Sequence, residues 1–307
     1  VNKKAWIAVL FVVLVCWCGV FWLGRDPETG HIERPKTPLI GDYTLAYKNY
    51  DDIVSMIKGW EHEAPLLVET GTYGKTSGGN DCFYFRLSEE TSNPSSKVLV
   101  TACIHGNEPW STSTMMSYAG WLLSEYGKNS RITKILQETE VYFVPVVSPD
   151  SYPFSRKVEG VDPNRDFPTP KDPERISVTP VQNLRVLFMD IKPNAVLSGH
   201  TYGRIFLVPW GDTKEVNPNK EDYERVASEM ARSSGYKWMK ISQLYGHIIS
   251  GTEADWYHRN GAFAMVMEFG SHQRKPSESE TESEFERTKE AFLFFLEEST
   301  KVDVDKQ

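Results

Sequence analysis

Apolar and polar residues follow two rhythms along this chain. Short runs of aromatic and β-branched residues, such as DCFYFRL at 81–87 and KVLVTA at 97–102, predict strands. Runs at 141–147, 194–198, 204–208 and 262–269 predict four more. Longer segments at 51–60, 109–126, 178–191, 220–234 and 284–299 read as helices, the last of them amphipathic. Pro109 suits the first turn of the helix it opens. An acidic, serine-rich stretch at 277–282 reads as a link before the final helix. Strands and helices alternate with few hairpin signals. The pattern therefore predicts an α/β domain with a mixed, mostly parallel sheet and helices on both faces. No internal repeat is visible, and no shift of composition after Tyr43 marks a second domain.

The N-terminal pattern differs. Residues 5–24 carry no charge, and Lys3 and Lys4 precede them. A charge-free run of about 20 residues at helical rise spans the hydrocarbon core of a bilayer. The two lysines should stay on the cytoplasmic side. This predicts a signal anchor and transmembrane helix over 1–25, and a Pro-, Gly- and charge-rich linker over 26–42. A single folded domain follows over 43–300, with a tail at 301–307. The domain would lie outside the cytoplasm, in a periplasm or the extracellular space. A cleaved signal peptide and a secreted domain form the alternative.

Composition narrows the function classes. At 307 residues, 40% hydrophobic and 25% charged, the chain can bury a sizeable core. A net charge of −8 argues against nucleic acid as a partner, since binding phosphates needs a basic surface. Four cysteines make no disulfide framework. Cys16 and Cys18 lie in the apolar N-terminal run; Cys82 and Cys103, in candidate strands, could pair in an oxidising compartment but read first as buried free thiols.

Three separated stretches carry the chemistry. CIHGNEPW supplies His105 and Glu108, SGHTYG supplies His200, and MVMEFG supplies Glu268. Catalytic zinc takes three nitrogen or carboxylate ligands and keeps a fourth position for water. His105 and Glu108 follow the strand at 97–102, and His200 follows the strand at 194–198. In open α/β sheets the site lies beyond the carboxyl ends of the strands, so these residues can converge on one Zn2+ per chain. Glu268 ends an apolar strand, where an acid is costly unless paired or functional, and it reads as a general base. In GVDPNRDFP, Asn164 and Arg165 stand side by side. An arginine fork matches a carboxylate, and this pair suits the free C-terminus of a peptide. Arg156, in FSRK, could polarise a scissile carbonyl and steady the oxyanion. Singly, each of these histidines and arginines has a plain structural reading; their combination carries the zinc reading.

Together the motifs resemble zinc carboxypeptidases of the carboxypeptidase A type (peptidase family M14), over residues 43–296. HGNE, VDPNRDFP, SGHTYGRIFLVPWG, and SGTEADW followed by MEFG carry the resemblance. The two-His-one-Glu ligand set is already a known example of a catalytic zinc site in that family. The resemblance implies His105, Glu108 and His200 on zinc, Glu268 as base, Asn164 and Arg165 on the substrate carboxylate, and Arg156 at the carbonyl. It also implies a mobile tyrosine that closes over substrate. Tyr245 fits that role with a small loop insertion, whereas His247 stands at the aligned distance from Trp256. Pro163 and Asp166 depart from the commoner Leu and Asn around the Asn-Arg pair. Ala254 falls at the position that often sets side-chain preference and brings no charge there. Asp212 and Glu253 lie close in sequence to the pocket segments and leave a basic substrate group open. The implied activity is hydrolysis of C-terminal peptide bonds by zinc-activated water. Alternatives are a cell-wall amidase acting on murein peptides at diaminopimelate, an aspartoacylase-like deacylase, and a non-catalytic binding module. The expected partners are a peptide or peptidoglycan-peptide substrate and, through the anchor, a membrane.

Overall fold

Eight strands pair into one mixed sheet in the computed structural model, which describes residues 47–90 and 92–304. In chain order the elements are α1 (Tyr50–Glu63), β1 (Val68–Lys75), β2 (Asp81–Leu87), β3 (Ser96–Ala102), α2 (Pro109–Glu125), α3 (Ser130–Glu138) and β4 (Thr139–Val144). There follow α4 (Thr179–Ile191), β5 (Ala195–Thr201), β6 (Ile205–Val208), α5 (Lys220–Ser234) and β7 (Lys237–Lys240). The chain continues through α6 (Ile241–Tyr245), α7 (Glu253–Arg259), β8 (Phe263–Phe269) and α8 (Glu278–Glu298). Among the described residues no helix is long and apolar enough to cross a membrane. The anchor expected over 1–25 and the linker expected over 26–42 lie outside the described residues.

The strand order is β1-β2-β4-β3-β5-β8-β6-β7. The four central strands, β4, β3, β5 and β8, run parallel. Antiparallel pairings join β1 to β2, β2 to β4, and β6 to β8. Period-two alternation divides the central strands between two cores. Val98, Val100, Leu197, Met265 and Met267 face a core shared with α1, α2, α5 and α8. Leu99, Val196 and Ala264 face the other, against Leu184 and Phe188 of α4 and Trp256 and Tyr257 of α7. Helices thus cover both faces, as the alternating pattern predicts. Cys82 and Cys103 are free and buried.

Local differences from the expected elements have physical causes. Most of the stretch expected as a link, from Glu278 on, is the start of α8. Ser277 caps α8, its hydroxyl accepting from the Glu280 amide while the Glu280 carboxylate reaches back to the Ser277 amide. The strand β1 went unread because VETGTYGK carries two glycines and lies on a sheet edge. Its hairpin with β2 is held from a distance, since the Asp150 carboxylate accepts from Thr76, Gly78 and Asn80 in the turn. The short helices α3, α6 and α7 and the strand β7 are likewise absent from the sequence pattern as read.

Candidate metal centre

His105 and Glu108 lie on the loop between β3 and α2. The loop passes so close to the segment after β4 that a Cβ on Gly106 would sit 2.3 Å from Ser151 Oγ. Glu108 occupies the N-cap position of α2. His200 is the penultimate residue of β5, which ends at Thr201, beyond the apolar stretch at 194–198. It pairs in register with Glu268 of β8. Both share strand parity with Val196, Ala264 and Val266, so alternation turns them toward the α4 and α7 side.

The three donors converge. His105 Nδ1 lies 2.9 Å from Glu108 Oε1, and His200 Nδ1 lies 3.0 Å from Glu108 Oε2. All three residues are buried, and their candidate ligand atoms lie within 4.8 Å of one another. The far side of each imidazole meets a second carboxylate. His105 Nε2 is 2.9 Å from Asp162 Oδ1, and His200 Nε2 is 2.7 Å from Glu253 Oε1. A ring proton on each Nε2 satisfies those carboxylates, leaving two Nδ1 lone pairs aimed at the Glu108 oxygens. Acceptors facing acceptors at such distances require positive charge, either protons on both rings or a shared cation. The donor set therefore fits one zinc ion.

The electrostatics follow from burial and from these contacts. Burial works against ionised Glu108, but His200 and His105 overcome it and hold the carboxyl down at about 2. Burial also opposes charge on His200, and Glu108 and Glu253 together hold the ring well above its usual range. Glu268 goes the other way. Desolvation, reinforced by the Glu108 charge and only partly relieved by His200, His105 and Arg156, raises it to about 7. Asp162 also resists burial, held well below the usual carboxylate range by His105, Arg156 and Arg165.

One cleft gathers most of the expected residues. It opens to solvent and is lined by His105, Glu108, Arg156, Asn164, Arg165, His200, Tyr245, Ala254 and Glu268. Arg156 is steered there by Asp162, whose Oδ2 accepts from its Nε at 3.2 Å. Asn164 and Arg165 belong to a single 3-10 turn, Pro163–Arg165, capped by the same Asp162. The Asn164 Oδ1 accepts from the Glu253 amide at 2.8 Å. Its Nδ2 lies 3.3 Å from His200 Nε2. With that nitrogen's proton directed to Glu253, the Asn164 amide finds no lone pair there and remains available to the cleft. The turn is packed against Gly251, where φ is +80° and an added Cβ would lie 2.4 Å from the Arg165 carbonyl oxygen. Tyr245 ends α6 beside Arg165, whose guanidinium stands 5.4 Å from the ring centroid. His247 is exposed, its Nδ1 on the Tyr245 carbonyl oxygen, and it does not line the cleft.

Behind Ala254 the cleft is apolar. Ala254 packs with Leu207, Ile241, Ile249 and Val266. The two acids that left a basic substrate group open are turned elsewhere. Asp212 pairs with Arg259, and Glu253 pairs with His200. Sequence reasoning missed the parts played by Asp162 and Glu253 behind the imidazoles. The signal available was an acid two residues before Asn164 and another just ahead of Ala254.

The chain belongs to the zinc carboxypeptidase family, whose profile matches residues 53–305. It is 25% identical to mast cell carboxypeptidase A of Homo sapiens, covering 74% of this chain and 63% of that one. It is 23% identical to carboxypeptidase O of Bos taurus, covering 90% and 87%. This chain therefore spans somewhat less than two thirds of the length of the first of these relatives. The fold is similar to the crystal structure of thrombin-activatable fibrinolysis inhibitor, with a TM-score of 0.76 at 19% identity, covering 84% of this chain and 75% of that one.

Proposed function

We propose that this protein is a zinc metallocarboxypeptidase that removes a C-terminal residue with a neutral, apolar side chain from peptides. The observation that carries this reading is one cleft holding a metal donor set, a desolvated carboxylate and an arginine, with an apolar pocket beyond them.

In this reading His105, Glu108 and His200 hold the zinc. When bound, that ion lowers the pKa of a water molecule and polarises a carbonyl. Glu268 takes the water proton and passes it to the leaving amine, a task suited to a carboxylate raised to about 7. Arg156 steadies negative charge as it develops on the carbonyl oxygen. Arg165, with Asn164 beside it, receives the terminal carboxylate and so restricts cleavage to the last peptide bond. Tyr245, on the rim beside Arg165, covers the bound end. The terminal side chain enters the pocket of Ala254, Leu207, Ile241, Ile249 and Val266. The cluster is built of aliphatic side chains, so a terminal lysine or arginine would bury its cation among them.

The catalytic domain is taken to span residues 43–300, with 301–307 as a tail. The charge-free run at 5–24 behind Lys3 and Lys4 supports a domain held outside the cytoplasm at a membrane surface. Fractionation of cells expressing the full chain tests that placement; recovery in the cytosol would count against it.

The activity is tested by digesting a peptide library with the zinc-loaded protein and reading the products by mass spectrometry. Single residues should leave free-acid peptides, large apolar residues first, and C-terminally amidated peptides should resist. Equal cleavage of acids and amides would overturn the carboxylate-directed reading.

A further inference from the structure

Glu253 Oε1 lies 2.7 Å from His200 Nε2, on the side of the ring turned away from Glu108. Glu253 is fully buried in the first turn of α7. Its amide donates to Asn164 Oδ1, and the buried Tyr257 hydroxyl lies near its carboxylate. The contrast with the other imidazole is informative. Asp162, behind His105, is partly exposed and is braced by Arg156. Glu253 has no arginine or lysine against it among the described residues, and its ionic partner there is His200. A dry carboxylate is costly unless a donor meets it, and the ring N–H of His200 is the donor placed against this one.

We propose that Glu253 is a positioning residue of the metal centre, whose carboxylate accepts a hydrogen bond from the Nε2–H of His200 and so fixes Nδ1 as the ligand atom. The inference rests on the metal-site reading and deepens it. A neutral histidine can offer either nitrogen, and a carboxylate on one of them sets the tautomer, holds the ring plane and raises the basicity of the other. Both imidazoles of this site are thereby backed by acids, one at the rim and one in the interior. The arrangement also explains why an acid directly before Ala254 leaves the substrate pocket uncharged. On the first turn of α7 the Glu253 side chain is directed to His200, while Ala254 packs among the pocket's aliphatic residues.

The test compares the full chain with Glu253→Gln and Glu253→Ala. Zinc affinity is read by competition with a chromophoric chelator, folding by far-UV circular dichroism, and ligand geometry by the visible absorption of the cobalt(II) forms. The expected result is a loss of zinc affinity of roughly tenfold for Gln and up to about a hundredfold for Ala, the range found when such outer carboxylates are removed. The cobalt band should shift in the Ala variant. Gln preserves the side-chain volume and carries the test should Ala fail to fold. Zinc affinity within about twofold of the parent in the folded Gln variant, with an unmoved cobalt spectrum, would overturn the role of Glu253 while leaving the metal site standing. A parent chain that takes up no zinc would overturn the metal site and this inference with it.

Discussion

His200 and Glu268 stand opposite each other on adjacent parallel strands, paired Cα to Cα at the carboxyl ends of β5 and β8. A candidate ligand and a candidate base are thus held at a fixed spacing by sheet register rather than by loops. Side chains alternate along a strand, so a slip of one residue would turn Glu268 into the core shared with α2 and α8 and put Met267 or Phe269 in the cleft. The candidate base needs no lid to be in place.

Replacing that base separates its chemistry from metal binding. Glu268→Gln keeps the shape and register of β8 and leaves His105, Glu108 and His200 untouched. The variant should retain one zinc per chain by metal analysis. Its turnover on a free-acid peptide should fall by about a hundredfold to ten-thousandfold, the usual worth of general acid–base catalysis. Turnover near that of the parent would remove Glu268 from the mechanism.

The same residue sets an acid limb. Glu268 is raised to about 7 without a bound metal, chiefly by desolvation. Only its ionised form accepts a proton, so kcat/KM should increase with pH as the carboxyl deprotonates. A nearby dication favours the ionised form, and the midpoint in the loaded enzyme should fall below about 7. A kcat/KM profile declining with pH across the range below 7 would contradict the assignment.

Much of this site was legible because its residues occupy short motifs at the ends of recognisable strands. HGNE follows KVLVTA, and Glu268 is next to last in FAMVMEF, so apolar runs alone put both at the sheet's carboxyl edge. What the sequence could not display was direction. Glu253 and Ala254 are neighbours in SGTEADW, yet one backs an imidazole and the other lines an apolar pocket. That division depends on α7, a seven-residue helix too short to declare a period. Tyr245 and His247 pose the same problem. Both are polar aromatics two residues apart, but Tyr245 ends α6 beside Arg165 while His247 follows the αL turn at Gly246. The hairpin of β1 and β2 was hidden for a related reason, its turn being held by Asp150, which lies some 70 residues away.

Arg165 offers a test of terminal recognition. Its guanidinium lines the cleft above the tyrosine ring and is positioned by its own Nη1 on the Asn164 carbonyl at 2.6 Å. Hydrogen bonds to a charged partner are worth about 1.5–3 kcal/mol, or roughly tenfold to a hundredfold. Arg165→Ala should raise KM for free-acid peptides by that factor and reduce the preference for acids over amides, while zinc content stays unchanged. An unaltered acid-to-amide ratio would place carboxylate recognition elsewhere.

His258 gives a prediction about stability rather than activity. It is fully buried on α7, with Tyr223 Oη 3.0 Å from Nδ1 and the Trp210 ring packed edge-on with it, 4.7 Å between centroids. Burial, with a smaller contribution from the Arg259 charge and partial relief from the Ala262 backbone, lowers it to about 4. The unfolded chain titrates near its ordinary value of about 6.5 and so binds the extra proton first as pH falls. Between these values acid favours the unfolded state. The folded protein is unaffected above about 6.5, loses stability as pH drops toward 4, and is not destabilised further by this group below that. The loss amounts to about 2 kcal/mol between pH 7 and pH 5, and about 3 kcal/mol over the whole window. Other buried groups titrate in the same range, Asp255 among them, raised to about 7 chiefly by burial and next by Asp212. The measurement is therefore a difference. Urea unfolding of the metal-free parent and of His258→Gln at both pH values should show the parent losing that amount relative to the variant. Parallel pH dependence in the two proteins would mean that His258 titrates normally in the fold, and that its burial between Tyr223 and Trp210 leaves it free to hold a proton.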